Sequence, residues 1–430
     1  MSKLEPTNEA SAIAEQGGGT AKVEQLIQQY CPDGVEYKSF FDVCDFIRGI
    51  TYNKQQEART EVDAHKVLRA NNITLNLNTL NFDDVKFVVN DVKVKPSQML
   101  YRGDILMCAG SGSKEHIGKV AYINEDMDYT FGGFMSVVRC KDVLLPRFIF
   151  HILTGGLFTQ HLEREIKSST INNINNQVMQ SLSIPVPPLP VQEEIVRILD
   201  TFAELQAELQ AELQKRIQQY NYFRDNLLSF EGRTDVEWKK LGNVCLKVCS
   251  GGTPSRGNSG YFTGDIPWLR TQEVDWKDIY DTEIKITEDA VKNSSAKLIP
   301  ENCVIIAMYG ATAGKVGINK IPLTTNQACC NLQINPQKAL YKYVYYWVCN
   351  EYEHLKSLGQ GSQNNINAQI IKEYPIPVPP LAEQQRIVDI LDRFHALTTD
   401  ITAGLPAEIE ARRKQYEYYR DQLLTFKQKA

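Results

Sequence analysis

The chain is written twice. Ile184-Pro185-Val186-Pro187-Pro188-Leu189 recurs as Ile376-Pro377-Val378-Pro379-Pro380-Leu381, 192 residues on. Ile195-Val196-Arg197-Ile198-Leu199-Asp200 recurs as Ile387-Val388-Asp389-Ile390-Leu391-Asp392, and Asn172-Asn173-Ile174-Asn175 as Asn364-Asn365-Ile366-Asn367, at the same offset. Gln219-Tyr220-Asn221-Tyr222-Phe223-Arg224-Asp225 returns as Gln415-Tyr416-Glu417-Tyr418-Tyr419-Arg420-Asp421, 196 residues on, so the second copy carries four extra residues. Earlier in each copy, Val35-Glu36-Tyr37-Lys38 matches Val236-Glu237-Trp238-Lys239, and Gly118-Lys119-Val120 matches Gly314-Lys315-Val316. Co-linear matches of this kind dictate two copies of one unit. Each unit is a globular segment, a proline-rich connector and a long helix.

The connector prolines exclude helix interior and central strand and predict an extended lead-in. A helix is then expected from about Val191 to Phe230, a rod of roughly 60 Å. Its apolar stripe is Ile195, Ile198, Leu199, Phe202, Leu205, Leu209, Leu213, Ile217 and Tyr220. Ala203-Glu204-Leu205-Gln206 repeats twice more within it, through Gln214. The second helix, from about Ala382, carries Ile387, Leu391, Phe394, Leu397 and Ile401, then Ile409, Tyr416 and Leu423. Gly404-Leu405-Pro406 should kink or split it. A narrow stripe needs a facing stripe. Pairing the two helices within the chain, antiparallel, is the economical solution, with the globular units at opposite ends. Pairing between chains is the alternative.

At 430 residues the chain is long enough for two or three domains. The globular segments read as mixed and strand-rich, with strands at Phe87–Val89, Ile105–Met107, Ile284–Ile286 and Val304–Ala307. Helices are expected over 146–166 and 340–358. No apolar run approaches a membrane span, and the polar stretch up to Thr20 reads as a loose leader, so a cytoplasmic protein is expected. The ten cysteines include no Cys-x-x-Cys pair and should be reduced. The six histidines show no metal-ligand spacing, so no metal is expected.

Catalytic signatures fail on inspection. Gly310 to Val316 is one residue short of a phosphate loop and has Val where a hydroxyl must meet the metal. Pro32-Asp33 with Glu36-Tyr37-Lys38 is too tight for nuclease carboxylates around a metal. Both Pro-Pro pairs precede Leu, so the Pro-Pro-aromatic tetrapeptide of an adenine methyltransferase is absent. Binding remains. A net charge of −5 neither announces nor forbids a nucleic-acid partner. Loop residues able to read base edges or neutralise phosphates are Arg48, Tyr52, Lys54, Ser111, Ser113, Lys114, His116 and Lys119 in the first copy. In the second they are Thr253, Ser255, Arg256, Arg270, Tyr309, Thr312, Lys315, Asn326 and Gln327. Trp268, beside Pro267, reads as core.

The paired Ile-Pro-Val-Pro-Pro-Leu connectors, the two Ile-Val-x-Ile-Leu-Asp segments and Tyr222 to Asp225 with Tyr418 to Asp421 resemble the specificity subunit of a Type I restriction–modification enzyme. Gly251-Gly252-Thr253-Pro254-Ser255 followed by Ile266-Pro267-Trp268 resembles the opening of that family's target-recognition domains. The Ala-Glu-Leu-Gln repeat resembles the variable repeat of one subclass. The resemblance spans about residues 23–426. It implies an α+β fold of two similar strand-rich target-recognition domains, each followed by a long helix, with the helices pairing as an antiparallel coiled-coil spacer. The implied layout is a disordered leader (1–22), a first recognition domain (23–184), a connector and central helix (185–230), a second recognition domain (231–376) and a connector and C-terminal helix (377–430). It implies a non-catalytic chain that reads a two-part, gapped sequence of double-stranded DNA, with the helices setting the gap. It also implies two modification subunits carrying S-adenosylmethionine, restriction subunits using ATP and Mg, and no cofactor on this chain. A coiled-coil scaffold with two protein- or glycan-binding heads is the rival reading.

Overall fold

The computed structural model describes residues 18–74, 77–112, 114–167, 173–359, 365–399 and 403–429. The chain divides into a first unit, drawn from residues up to 210 and from 408 on, and a second unit, 211–407. Among the described residues no helix is long and apolar enough to cross a membrane. The expected leader lies outside the described residues up to position 17. From Gly18 the chain is helical, as α1 (Gly18–Tyr30), so the last residues assigned to a disordered leader are ordered. Val23 is buried in the first unit's core and Lys22 pairs with Glu194 at 2.8 Å, which is what holds this helix down.

Each unit contains the same three strand assemblies. In the first, Cys44–Arg48, Met135–Cys140, Ile105–Cys108 and Val120–Tyr122 form a four-stranded antiparallel sheet. In the second, Cys245–Ser250, Cys329–Ile334, Val304–Ala307 and Val316–Asn319 repeat that order, and Asp278–Ile279 adds a parallel edge. A second sheet in each is built on one parallel pair. Ala64–Leu68 runs beside Met127–Phe131 in the first unit, and Ile266–Leu269 beside Thr324–Thr325 in the second. The third assembly is a two-stranded ribbon. The connector strand Ser183–Val186 pairs with Glu36–Ser39, and Pro375–Val378 with Glu237–Lys240. Each proline strand has one neighbour, so the missing N–H groups fall where no second ladder needs them.

The connectors lead into α2 (Leu189–Leu227) and α3 (Leu381–Thr399), two residues earlier and one residue earlier than the stripes predicted. A buried glutamine fastens each start. Gln192 accepts from the Leu145 N–H at 2.8 Å and donates to the Pro187 and Val143 carbonyls. Gln384 accepts from Leu340 N–H at 2.9 Å and donates to Pro379 and Lys338. The aspartates that close the repeated Ile-Leu-Asp segments tie the helices sideways. Asp200 accepts from Arg147 and lies 2.8 Å from His151, while Asp392 accepts from Lys342 and from the Tyr346 hydroxyl.

The second long helix is split, as Gly404-Leu405-Pro406 predicts: α3 ends at Thr399 and α4 (Leu405–Leu423) follows. The helices expected over 146–166 and 340–358 are also split, into Pro146–Leu153 with Gly156–Lys167 and Tyr341–Asn350 with Tyr352–Ser357. Gly155 and Gly156 stand at the first break, where a side chain on Gly156 would meet the Asp421 carboxylate.

The long helices pair antiparallel. In the first unit Phe202 of α2 stacks on Tyr419 of α4 with centroids 5.5 Å apart, and Ala203, Gln206 and Ala207 border one hollow with Tyr416. In the second unit Phe223 stacks on Phe394 at 5.3 Å. The predicted stripe divides in two. Ile195, Leu199 and Phe202 are sealed into the first core with Leu423 and Leu424, and Ile387 and Leu391 into the second with Tyr343 and Trp347. Leu205, Leu209, Leu213, Ile217 and Phe394 are half-buried. Leu397 departs from expectation: it is exposed, and Thr398 is buried in its place near the end of α3. Ile401 lies outside the described residues.

After α4 the tail turns into the first core, where Leu424 and Phe426 are buried. The Val35 N–H donates to the Lys427 carbonyl at 2.8 Å and the Lys429 N–H to the Val35 carbonyl at 2.9 Å. Leu228 and Phe230 fill the corresponding places in the second core, there in continuous chain ahead of Val236.

Candidate nucleic-acid interface

The two copies build one backbone cradle at the ends of their parallel strands. In the first, the Gly49 N–H donates to the Met135 carbonyl and Ile50 to Phe131; in the second, Gly251 donates to Cys329 and Gly252 to Thr325. A Cβ on Gly49 would lie 2.2 Å from the Phe131 carbonyl oxygen, and one on Gly251 2.0 Å from that of Thr325. Backbone crosses backbone there, and only glycine fits. This register equates Thr51 with Thr253, Gly132-Gly133-Phe134 with Asn326-Gln327-Ala328, and Arg69 with Arg270. The Gly132 N–H donates to Leu68, and the Asn326 N–H to Leu269. Each arginine opens a 3-10 turn whose third residue accepts from its N–H: Asn72 for Arg69 at 2.8 Å, Glu273 for Arg270 at 3.1 Å.

In the first unit the cradle opens as a groove of about 1310 Å³. Arg48, Tyr52, Ser111 and His116, all expected from sequence, line it. The Arg48 Nε donates to the Gly133 carbonyl at 2.8 Å. Burial against Val67 and Val88 pushes the Tyr52 phenol up, so it stays protonated and able to donate. Arg69, Asn71, Phe134 and Asn173 line it as well and were not anticipated. Asp84 accepts from Arg69 at 2.6 Å and from Asn71 at 2.9 Å. The His116 Nδ1 and Asn173 Oδ1 are buried and bond no described residue. Lys54 is exposed but does not line the groove. Ser113 and the Lys114 side chain lie outside the described residues.

In the second unit the rim is closer knit. The Thr253 hydroxyl bonds the Gln327 amide oxygen, and the 3-10 turn Thr271–Glu273 packs on the turn Gly310–Thr312. The Gly310 N–H reaches Asn365 Oδ1 at 3.4 Å, whereas the matching Asn173 Oδ1 has no such bond. Thr253, Arg270, Tyr309, Thr312, Asn326 and Gln327 therefore share this rim, with Tyr309 exposed. Ser255 and Arg256 are exposed further along the loop. The Arg270 guanidinium is held by Glu273 and Glu283, so its charge is largely offset. Trp268 is buried, its Nε1 donating to Gly252 at 2.9 Å.

The two repeated lysines differ, and Lys119 alone departs from the expectation that it faces phosphate. Gly118 (φ +79°) and Gly314 (φ +86°) supply a left-handed turn that sends the next residue back along the sheet. Lys119 is buried, and its ammonium donates to the Ile73 and Ala70 carbonyls at 2.8 and 3.4 Å. Burial lowers its pKa. Lys315 bonds Asp275 at 2.6 Å. Gly-Lys-Val thus makes the same turn in both copies, with Lys119 turned inward and Lys315 left part-exposed.

Leu68-Arg69 matches Leu269-Arg270, but so short a match takes its meaning from the strand register. Asn173 sits in the duplicated Asn-Asn-Ile-Asn, whose meaning needs the groove. Phe134 has no repeat partner in the sequence, because its counterpart is Ala328.

The family of the Type I restriction modification DNA specificity domain matches this chain twice, over residues 32–219 and 234–411. The chain belongs to the Type I specificity-subunit family. The specificity subunit of an Escherichia coli Type I restriction enzyme is 43% identical over 321 residues, covering 70% of this chain and 78% of that one. A putative counterpart in Haemophilus influenzae is 32% identical over 347 residues, covering 76% and 84%. A solved structure concerned with complex assembly and conformational transition of the Type I restriction–modification system has the same fold. It aligns with a TM-score of 0.59 at 16% identity, over 91% of this chain and 97% of that one. In this member of the specificity-subunit family each family match takes in one copy of the cradle and its proline connector, and the long helices run past the ends of the matches at 219 and 411.

Proposed function

We propose that this chain is the DNA-specificity subunit of a Type I restriction–modification assembly. Its recognition domains, 23–184 and 231–376, each read one half of a split target in double-stranded DNA. The connectors and helices over 185–230 and 377–430 set the unread gap and carry two modification subunits. Adenine methylation with S-adenosylmethionine belongs to those subunits, and ATP- and Mg-dependent cleavage to restriction subunits; this chain contributes no catalytic group. One observation carries the reading. The same backbone cradle recurs in both units, with Thr51 and Thr253, Arg69 and Arg270, and Asn173 and Asn365 at matching places, while Gly133 and Phe134 answer to Gln327 and Ala328. One scaffold with two sets of side chains suits two different half-sites.

Co-expression with the modification subunit encoded beside it, followed by mapping of methylated adenines, tests the reading. A two-part motif with a fixed gap is the expected result. No new methylation from soluble, co-purifying proteins would overturn it. Deleting Ala207 to Gln210 removes one tetrapeptide, about 6 Å of helix. The gap should shorten by one or two base pairs with both half-sites kept. Altered half-sites at an unaltered gap would refute the role of the helix.

A further inference from the structure

The exposed ring of Phe134 stands out against its surroundings. It is 72% exposed, and its backbone is pinned on every side. The Ala109 and Gly110 N–H groups both donate to its carbonyl at 2.9 Å, the Met135 N–H closes the turn on Gly132 at 2.7 Å, and Arg48 holds Gly133. Unlike the other exposed apolar side chains, this one sits on a fixed turn that lines the groove, so whatever enters the groove meets it. Around it the groove offers hydrogen-bonding groups: Arg48, Asn71, His116 and Asn173. In the second unit the same turn makes the same backbone bond, Met308 N–H to the Ala328 carbonyl at 2.7 Å, but Ala328 is 8% exposed and flanked by the amides of Asn326 and Gln327.

In the major groove of DNA every base edge offers hydrogen-bond donors or acceptors, and thymine alone among the four bases adds an apolar C5-methyl. One apolar side chain set among polar ones fits one methyl set among polar edges. We propose that Phe134 is a specificity-determining residue that packs on the methyl group of a thymine in the half-site read by the first unit. The assignment rests on the proposed DNA-reading function. The second unit has no equivalent contact at Ala328 and reads the matching position with its amides.

The test uses the assembled complex of this chain and its modification subunit, with duplexes carrying the mapped target. Each thymine of the first unit's half-site is replaced in turn by uracil, which lacks only the methyl. One replacement should weaken wild-type binding on the order of fourfold, the worth of one buried methyl. F134A should bind the thymine duplex correspondingly more weakly and no longer distinguish thymine from uracil there. F134L, still apolar, should keep the distinction. The ring is exposed, so both variants should melt with wild type. The inference is overturned if that half-site has no thymine on either strand, or if F134A keeps the wild-type thymine-to-uracil ratio at every position. Wild-type protein with no sequence preference for any gapped duplex would instead overturn the DNA-reading function itself.

Discussion

The two recognition units share the backbone hydrogen bonds of their cradles and differ in what hangs from them. The strand crossing at Gly49 is repeated at Gly251, the arginine-led turn at Arg69 at Arg270, and the left-handed turn at Gly118 at Gly314. The side chains have been free to diverge. The first unit keeps an open groove with buried polar atoms on His116 and Asn173 that bond no described residue, and a bare phenylalanine at its lip. The second ties its rim together through Thr253 with Gln327 and Arg270 with two glutamates. Interactions made by the main chain survive substitution of side chains, so the cradle can persist while the reading surface changes. A duplicated reader needs that separation if its halves are to recognise different sequences.

The comparison breaks most visibly at the strand crossings. Gly49→Ala and Gly251→Ala each force a methyl against a backbone carbonyl that cannot move without shifting its sheet. Each should destabilise its own unit by about 3 kcal/mol or more in chemical denaturation of the full chain. Gly112→Ala, where a Cβ meets nothing within 4 Å, is the control and should be near neutral. Equal loss at Gly49 and Gly251 would establish one shared cradle; a neutral Gly251→Ala would show that the second crossing is looser than the first.

The repeated lysines give a smaller, asymmetric effect. Lys119→Met leaves the Ile73 and Ala70 carbonyls without their buried donor and should cost about 2 kcal/mol. Lys315→Met removes a part-exposed ion pair with Asp275 and should cost at most about 1 kcal/mol. Neither should change the methylated motif. A changed half-site from Lys119→Met would restore this lysine to the reading surface.

The smallest effect is in acid. His151 is fully buried against Asp200, Tyr416, Arg147 and Arg420, and burial holds its pKa below the usual 6.5 despite Asp200. The neutral ring donates from Nε2 to the carboxylate and accepts the Tyr416 hydroxyl at Nδ1. A folded pKa below the unfolded one means that the unfolded chain binds the proton first as pH falls. Stability should therefore decline below about pH 6.5, by no more than about 1.4 kcal/mol per pH unit. Tyr346 occupies the matching place beside Asp392 and donates its hydroxyl at 2.7 Å. His151→Tyr should flatten the decline, measured as thermal stability between pH 7.5 and 5. An unchanged slope would mean that folding does not lower the His151 pKa, and a steeper one that the folded chain holds the ring protonated.

Duplication, proline connectors, a helix split at Gly404-Leu405-Pro406 and the antiparallel pairing were all legible in the sequence, because they follow from repeat offset, ring geometry and the spacing of apolar residues along one helix. Four of the groove's residues, Arg48, Tyr52, Ser111 and His116, were legible as loop residues of suitable chemistry. Arg69 needed the strand register that equates it with Arg270; Asn173, already matched to Asn365 by the duplicated Asn-Asn-Ile-Asn, needed the groove to give that match a meaning. Lys119 misled because a lysine beside a glycine looks solvent-facing until the turn at Gly118 is seen to point it inward. Two like units, and the local structure that joins them, follow from the sequence alone, since periodicity and proline act over a few residues. Only the tertiary structure decided which side chains face the groove. That depends on carbonyls and strands contributed from distant parts of the chain, such as Ile73 for Lys119 and Phe131 for Gly49.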